Sequence, residues 1–366
     1  MNFDYNEEQQ LLADSVRRFL AKDYGFEARK KIVSSKDGWS AEVWAQIAEM
    51  GITGLPFSPD FGGFGGGAVD LMGVMEAAGD ALLVEPYLPT VMAGKLVARA
   101  GSDAQKKAIL PQVVEGKLKL AFAHTEKGAR YNLSKVSASA KGAGAGWELT
   151  GEKAVVLGAT AADKLVVSAN TGKGMSLFLV DVKDAKLKGY VTLDEMRAAD
   201  VVLKGTKGEM LGAEGGALAL VEEVVDYATA LVCAEAVGAM KFSCDTTLEY
   251  LKTRKQFGVT IGNFQALQHR MVDMYVSYEQ AKSMACLACS KVDSPADAKD
   301  RARAVSAAKI KIADNARHIS QEAIQLHGGM GMTDEMKVSH SFRRLTMIAQ
   351  QFGDAEHHLA RFAKLS

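Results

Sequence analysis

The sequence predicts a mostly helical protein that carries a small β module in its middle. From about Ala217 onward the chain forms long apolar-rich runs that are far too long for strands. Between about Leu120 and Leu211 the pattern changes to short apolar runs split by Gly, Asn and Asp, which is typical of strands. We therefore expect an N-terminal helical domain over residues 1–118, a middle β domain over 119–212 and a C-terminal helical domain over 213–366.

The N-terminal part begins with a capped amphipathic helix from about Asn6 to Lys22. Asn6 is the expected N-cap, and Gln9 closes a pattern that resembles a capping box. The apolar stripe of this helix consists of Leu12, Val16, Phe19 and Leu20. A second helix is predicted from Ser40 to Met50, ending at Gly51, and a turn-rich loop follows it.

The middle part shows strand signals at hairpin-like spacing. The predicted strands are 147–149, 154–157, 164–168, 176–182 and 200–203. A small β-sheet module therefore separates the two helical parts.

The C-terminal part is organised around the segment that joins two long helices. The first helix begins near Ala217, and Gly258 is its expected C-cap. The second begins near Asn263, a plausible N-cap. Its apolar face consists of Phe264, Leu267, Met271, Met274, Tyr278, Ala281 and Ala285. A further helix is predicted from Arg301 to Gln325.

Three side chains at this joint have complementary chemistry. Arg254 offers a planar fork for phosphate oxygens, Phe257 a flat face, and Gln265 an amide with both a donor and an acceptor. At a tight junction between antiparallel helices, this set suits a pyrophosphate joined to an adenosine. On chemistry alone the alternative stays open that Arg254 caps helix carbonyls and Phe257 belongs to the core.

Charge and cysteine content exclude several classes of protein. The 44 basic and 44 acidic residues cancel, so we expect no nucleic-acid or membrane partner. The N-terminus lacks a signal-peptide pattern and the apolar runs carry carboxylates, so a soluble, cytoplasmic protein is expected. Cys286 and Cys289 lie inside a predicted helix without a second pair, so core thiols and no metal site are expected.

Two motifs in order resemble one family. The string Arg-x-x-Phe-Gly-x-x-Ile-x-x-Phe-Gln-x-x-Gln, which starts at Arg254, is similar to the C-terminal flavin-contact motif of the acyl-CoA dehydrogenases. The segment from Gln325 through Gly329 resembles that family's Gly-rich turn. The resemblance implies a flavoprotein oxidoreductase of fatty acid metabolism, with a middle β-barrel-like domain and a C-terminal four-helix bundle. It also implies FAD contacts from Arg254, Phe257, Gln265, Gln325 and Gly329.

The chain departs from this family where the chemistry takes place. The family's Tyr-Glu-Gly-Thr turn, which carries the catalytic glutamate, falls on residues 351–354, so Phe352 takes the glutamate position. The other family position for the base falls on Ala228. Neither side chain can accept a proton, so the resemblance implies no catalytic residue in this chain.

The flavin-binding segments are also only half retained. The Thr-Glu-Pro-Gly loop keeps Thr125 and Glu126 alone, and the Trp-Ile-Thr strand beside the flavin ring becomes Val155-Val156-Leu157. In the family, the lost groups bind flavin within their own subunit, whereas the retained ones reach the cofactor of the neighbouring subunit. Only Thr125 is kept as a contact to the chain's own cofactor.

The resemblance therefore implies a subunit that is not active alone. Residues 84–90 and 352–359 resemble segments of the small, non-catalytic subunits of heteromeric acyl-CoA dehydrogenases of the pimeloyl-CoA type. The expected partners are a homologous large subunit in an α₂β₂ heterotetramer, an acyl-CoA substrate and electron-transfer flavoprotein. Two alternatives stay open: a flavin-free scaffold, and a self-sufficient homotetramer with a displaced base. The candidates for such a base are Asp354, Glu356, Glu222, Glu223 and Asp226.

Overall fold

A computed structural model describes residues 5–144, 146–294 and 297–365. The chain divides into two compact units. The first, here the bundle unit, comprises Met1–Arg29, Gly67–Leu83 and Thr229–Ser366. The second, here the sheet unit, comprises Lys30–Gly66 and Val84–Ala228. The predicted boundaries of the three sequence domains stay predictions, because these units are defined by packing.

Among the described residues the helices are, in chain order, α1 (Glu7–Asp23), α2 (Phe26–Ser34), α3 (Ala41–Glu49), α4 (Ala68–Ala81), α5 (Tyr87–Ala100), α6 (Asp103–Val114), α7 (Leu218–Thr253), α8 (Gln265–Asp293), α9 (Ala298–His327), α10 (Lys337–Gln350) and α11 (Ala355–Lys364). The strands are β1 (Leu120–Ala123), β2 (Ser139–Ala143), β3 (Gly146–Leu157), β4 (Lys164–Thr171), β5 (Gly174–Asp181), β6 (Lys186–Val191), β7 (Arg197–Leu211), β8 (Lys255–Gln256) and β9 (Val259–Thr260). The predicted class, mostly helical with a small β module in the middle, is confirmed. No helix of the described ranges is long and apolar enough to cross a membrane.

Helix α1 begins as the sequence predicts. Asn6 Oδ1 accepts a hydrogen bond from Gln9 N at 2.8 Å, and Gln9 Oε1 accepts one from Asn6 N at 3.0 Å, which completes the capping box. The helix predicted from Ser40 is confirmed as α3, with Ser40 Oγ capping Val43 N. Helix α2 lies between them and was not predicted.

In the bundle unit, α4 and α7 approach until their backbones touch. A Cβ added to Gly79 would lie 1.8 Å from Glu235 O, and one added to Gly238 would lie 1.8 Å from Glu76 O. Only glycine fits at either position. Arg344 forms a buried bidentate ion pair with Glu235 of α7, with N···O distances of 2.6 and 2.8 Å.

The four cysteines lie in the core of the bundle unit. Cys233, Cys244, Cys286 and Cys289 are all buried and free. Burial raises the pKa of the Cys233 thiol to about 12. The prediction of core thiols is confirmed, and no cluster of potential metal ligands occurs among the residues that the structure describes.

The sheet unit is built around a seven-stranded sheet that closes on itself. The strand order is β1-β4-β2-β3-β7-β5, with β5 also paired to β4 and β6 added to β7. The predicted segments 147–149 and 154–157 form one strand, β3, whose pairing with β7 is irregular between Lys153 and Val156. Strands β4, β5 and β7 are confirmed, whereas β1, β2 and β6 were not predicted.

Candidate functional site

The segment between α7 and α8 is a hairpin rather than a simple helix joint. Helix α7 ends at Thr253, and β8 and β9 are joined by Phe257 and Gly258, whose φ angles are 54° and 80°. Positive φ at both turn residues is the geometry of a tight two-residue hairpin loop. The predicted role of Gly258 as a helix C-cap is therefore wrong.

The start of α8 also differs from its prediction. Asn263 ends a short 3₁₀ helix, Ile261–Asn263, and the N-cap of α8 is Phe264, which makes no side-chain capping bond. Asn263 as the N-cap is wrong, because the chain makes one more turn before it becomes α-helical. The predicted apolar face is buried from Met271 onward, whereas Phe264 is exposed.

The predicted contact residues of the hairpin all point outward. Arg254 and Gln265 are exposed, and Phe257 is 90% exposed. The Phe257 ring meets Phe264 edge to face, with ring centroids 6.2 Å apart. The side chains of Arg254 and Gln265 make no hydrogen bond or ion pair with any residue that the structure describes. The alternative in which Arg254 caps carbonyls and Phe257 is core is therefore wrong.

The Gly-rich turn follows the end of α9. Gln325 is exposed in the last turn of α9, and its side chain has no hydrogen-bond partner among the described residues. Gly328 has a φ of 61°, and Gly329 is exposed, with nothing within 4 Å of the place where a Cβ would stand. An open glycine of this kind lets another molecule come close to the backbone.

A ring stack in the bundle unit joins the hairpin to the Gly-rich turn. Tyr250, in the last turn of α7, stacks on His327, the last residue of α9, with ring centroids 4.5 Å apart and 27° between planes. The stack therefore places the end of α7, which leads into the hairpin, beside the end of α9, which leads into the Gly-rich turn. No role in flavin binding was predicted for His327 from the sequence, although its place between Gln325 and Gly329 is a signal that could have indicated one.

Thr125 belongs to the sheet unit and is described there by itself. It is exposed, while its neighbours His124 and Glu126 are buried. Lys153 Nζ donates to Glu126 Oε1 at 2.6 Å, to Ser168 Oγ at 3.1 Å and to His124 O at 3.2 Å. The loop that carries Thr125 is thus anchored on both sides by a buried polar network.

Burial changes the acid–base behaviour of this network. It lowers the pKa of Lys153 to about 8, although the Glu126 carboxylate opposes that shift. Burial, together with the Lys153 charge, lowers the pKa of His124 to about 4. The histidine is therefore neutral near pH 7. Because Lys153 has three hydrogen-bond partners, we interpret the network as structural.

The segment aligned with the family's flavin-ring strand has no flat side chain. Val155 is half exposed at a φ of 52°, and its N–H donates to Asp200 Oδ1 at 3.3 Å. Val156 is buried. Lys127 forms long ion pairs, 3.4 Å each, to Glu152 and Asp200. An aliphatic strand crossed by surface ion pairs offers no stacking partner for an aromatic ring.

Both positions aligned with a family base are apolar. Phe352 is half-buried in a left-handed turn with a φ of 61°, and Ala228 is fully buried in α7. Lys309 stabilises the turn at Phe352. Its Nζ donates to Gly353 O at 2.7 Å and to Ala349 O at 3.2 Å. Burial lowers the pKa of this lysine to about 8.

The displaced-base candidates have ordinary structural settings. Asp354 is the N-cap of α11, and its Oδ1 accepts from His357 N at 2.8 Å. Glu223 pairs with Arg99 at 3.0 Å, whereas Glu222 and Glu356 are exposed and Asp226 is buried. No candidate stands out as a base.

Family models match the chain nearly from end to end. The N-terminal domain of acyl-CoA dehydrogenases matches residues 6–117, the middle domain 121–214 and the C-terminal domain 215–365. The chain belongs to the acyl-CoA dehydrogenase family. The predicted fold of this family, with N-terminal helical, middle β and C-terminal helical domains, is thereby confirmed.

Individual proteins of known sequence or structure are also similar to this chain over nearly its full length. Acyl-CoA dehydrogenase FadE12 of Mycobacterium tuberculosis is 31% identical over 354 residues, covering 92% of this chain and 90% of its own. The ChsE4-ChsE5 complex of the same organism contains a chain with a TM-score of 0.91 and 25% identity, covering 100% of this chain and 98% of that one. The structure of PigA with FAD and proline gives a TM-score of 0.90 at 27% identity, covering 100% and 98%.

Proposed function

We propose that this chain is the non-catalytic subunit of a FAD-dependent acyl-CoA dehydrogenase, which introduces an α,β double bond into an acyl-CoA thioester. One observation carries the proposal. The bundle unit presents an outward-facing set of polar groups around Arg254 that have no partner among the described residues, while both positions that the resemblance assigns to the base, Phe352 and Ala228, are apolar. The chain is thus equipped to bind part of a cofactor but not to remove a proton.

The donor set fits the ADP half of FAD. The Arg254 guanidinium is a planar fork whose N–H groups can donate in parallel to phosphate oxygens. The amides of Gln265 and Gln325 can both donate and accept, and Phe257 offers an exposed ring face for stacking. The open backbone at Gly329 leaves room for close approach. These groups have no competing partner among the described residues, so binding does not first have to break a contact.

The chain's own residues bind and position, and the partner supplies the chemistry. When bound, FAD accepts the hydride that leaves the β-carbon. Removal of the α-proton needs a carboxylate held in register with the thioester, and Phe352 and Ala228 offer none. Val155, Val156 and Leu157 offer no flat surface for the flavin ring. We therefore assign the base and the ring-binding segments to a homologous large subunit, in an α₂β₂ complex that passes electrons to electron-transfer flavoprotein in the cytoplasm.

Two further observations support a partner subunit. Large apolar side chains are exposed along the same part of the bundle unit, which is typical of an interaction surface. They are Leu248, Phe257, Val259, Phe264, Val272, Tyr275, Val276, Met330 and Met332. In addition, one similar solved structure is a complex of two named proteins, ChsE4 and ChsE5.

The test is Arg254→Ala in the complex reconstituted with the large subunit. Loss of a charge-assisted bidentate contact should cost about 2–3 kcal/mol of FAD affinity, a weakening of roughly 30- to 150-fold. Arg254→Lys should restore only part of it, because an ammonium lacks the fork. Lys255→Ala is the matched control, since it removes the adjacent exposed cation. If Arg254→Ala binds FAD like the parent in a flavin titration, the proposal is wrong.

A further inference from the structure

Tyr250 and His327 lie between the two segments that the proposed function assigns to FAD. Tyr250 comes one helical turn before Arg254, and Arg254 N donates to Tyr250 O at 2.8 Å. Arg254 O in turn accepts from Ile261 N at 2.9 Å, so the backbone of Arg254 is held from both sides of the hairpin. A movement of the Tyr250 end of α7 would therefore move the guanidinium with it.

His327 lies next to the Gly-rich turn, as Tyr250 lies next to Arg254. It lies two residues after Gln325 and two residues before Gly329, at the point where α9 ends. Its Nδ1 is 2.8 Å from Ala323 O, which requires a proton on Nδ1 and leaves a lone pair on Nε2. This hydrogen bond fixes the His327 ring against the last turn of α9.

The His327 ring contacts Tyr250 through its face and makes no hydrogen bond through Nε2 to any described residue. The side chain is 2% exposed, and Nε2 is buried without a hydrogen-bond partner among the described residues. A buried acceptor without a partner is costly. The ring nevertheless keeps this position, stacked on Tyr250 at 4.5 Å. Burial also lowers the pKa of His327, so the ring is neutral while it stacks.

We infer that Tyr250 and His327 are positioning residues that hold Arg254 in register with Gln325 and Gly329. Neither ring is required to touch the cofactor. The stack joins the last turn of α7 to the last turn of α9, so one contact sets the distance between the guanidinium and the open backbone of the Gly-rich turn. This inference builds on the proposed function, since the register matters only if both segments bind one ligand.

The first arm of the test uses the chain by itself. The ring of His327 is titrated by NMR in Tyr250→Phe, which keeps the flat ring, and in Tyr250→Leu, which removes it. Tyr250→Phe should retain the lowered pKa of His327, whereas Tyr250→Leu should move it back toward the ordinary value because the ring is no longer covered. An unchanged pKa in Tyr250→Leu would show that the stack does not hold His327.

The second arm measures FAD binding in the reconstituted complex. Tyr250→Leu should weaken FAD binding by about 3- to 10-fold, the range expected from an aromatic pair. The FAD affinity of Tyr250→Phe should stay close to that of the parent, because the flat ring is kept. Riboflavin lacks the ADP half of FAD, so its affinity should be the same in all variants, whereas general loss of structure would weaken riboflavin and FAD binding alike. His327→Phe and His327→Leu repeat the comparison from the other side of the stack.

Arg254→Ala separates the two possible failures. If Arg254→Ala loses FAD while Tyr250→Leu and His327→Leu bind it like the parent, the positioning inference is overturned and the proposed function stands. If Arg254→Ala also binds FAD normally, the proposed function fails and this inference fails with it. Equal weakening of FAD and riboflavin binding in the leucine variants would likewise overturn the inference.

Discussion

At the scale of single residues, Asp354 is the candidate carboxylate closest in sequence to Phe352, the position at which the resemblance places the base. The structure gives it a capping role at the start of α11, where its Oδ1 accepts from His357 N. Asparagine caps a helix about as well as aspartate does, so Asp354→Asn should leave α11 intact. If the partner supplies the base, turnover of the reconstituted complex should stay within a few-fold of the parent.

If Asp354 is the base, the turnover of Asp354→Asn will differ clearly from this expectation. An amide in place of a true base should reduce turnover by about 10²- to 10⁴-fold while FAD stays bound. Glu356→Gln, on the exposed side of the same helix, is the matched control. A large loss in Asp354→Asn but not in Glu356→Gln would make this chain catalytic and favour the self-sufficient homotetramer.

The buried His358 predicts how folding stability depends on pH. Burial, reinforced by the charge of Lys309, lowers the pKa of His358 to about 3. In the unfolded chain the ring titrates near its ordinary value of about 6.5. Below that pH the unfolded chain therefore binds a proton that the folded chain does not. Folding stability that is fully present above about pH 6.5 should fall as the pH drops toward about 3, by about 1.4 kcal/mol per pH unit for this ring.

The measurement is chemical unfolding of the chain between about pH 7 and pH 5. His124, whose pKa is lowered to about 4, adds a second proton to the same slope. His358→Gln keeps a polar side chain but removes one titrating ring, so it should reduce the slope near about pH 5.5 by about one proton. Identical slopes in parent and variant would contradict a His358 that stays neutral in the fold.

At the scale of elements, two asparagines were predicted to cap helices and only one does. Asn6 forms a complete capping box on α1, whereas Asn263 makes no capping bond at α8. Asn6→Ala should therefore cost about 1 kcal/mol of stability. Asn263→Ala should be nearly neutral, and thermal unfolding of the two variants side by side measures the difference. Equal losses would mean that α8 has its cap at Asn263 after all.

The hairpin shows why Gly258 was assigned to the wrong element. A glycine with positive φ is favoured both at a helix C-cap and in a tight hairpin turn, and its φ here is 80°. The sequence predicts the positive φ but not which of the two structures uses it. The decisive feature is Phe257, a non-glycine residue that also takes a positive φ, which the sequence pattern did not indicate.

The strands that were not predicted lack the usual signals. β6 (Lys186–Val191) is mostly exposed and alternates lysine with apolar residues, so no buried face marks it. β1 (Leu120–Ala123) is a short run without β-branched residues. β2 contains three small residues, Ser139, Ala140 and Ala143, and one glycine, Gly142. β1 is fixed by its pairing with β4, which is distant in sequence, and local patterns do not contain that information. β2 and β6 pair with the strands that follow them, β3 and β7, and were missed because their own sequences lack the usual strand pattern.

At the scale of the whole molecule, the family could be predicted from two short motifs and the three-part order from the change in apolar pattern along the chain. The chemistry of Arg254, Phe257 and Gln265 suggested a binding role, and the resemblance of their motif to the family decided between that role and a structural one. Their exposure could not be predicted, because an apolar Phe257 beside a long helix is equally compatible with a core. The contact of Tyr250 with His327 joins residues 77 positions apart, and only the folded chain shows it.

The most direct test is the flavin content and activity of the chain purified by itself, compared with the chain co-purified with the proposed large subunit. The chain keeps the polar set around Arg254 but has Val155 and Phe352 at the positions that the family resemblance assigns to flavin-ring binding and to the base. We predict that the isolated chain is colourless and does not oxidise acyl-CoAs, and that the complex is yellow and active. A yellow, active homo-oligomer obtained from this chain alone would contradict the account.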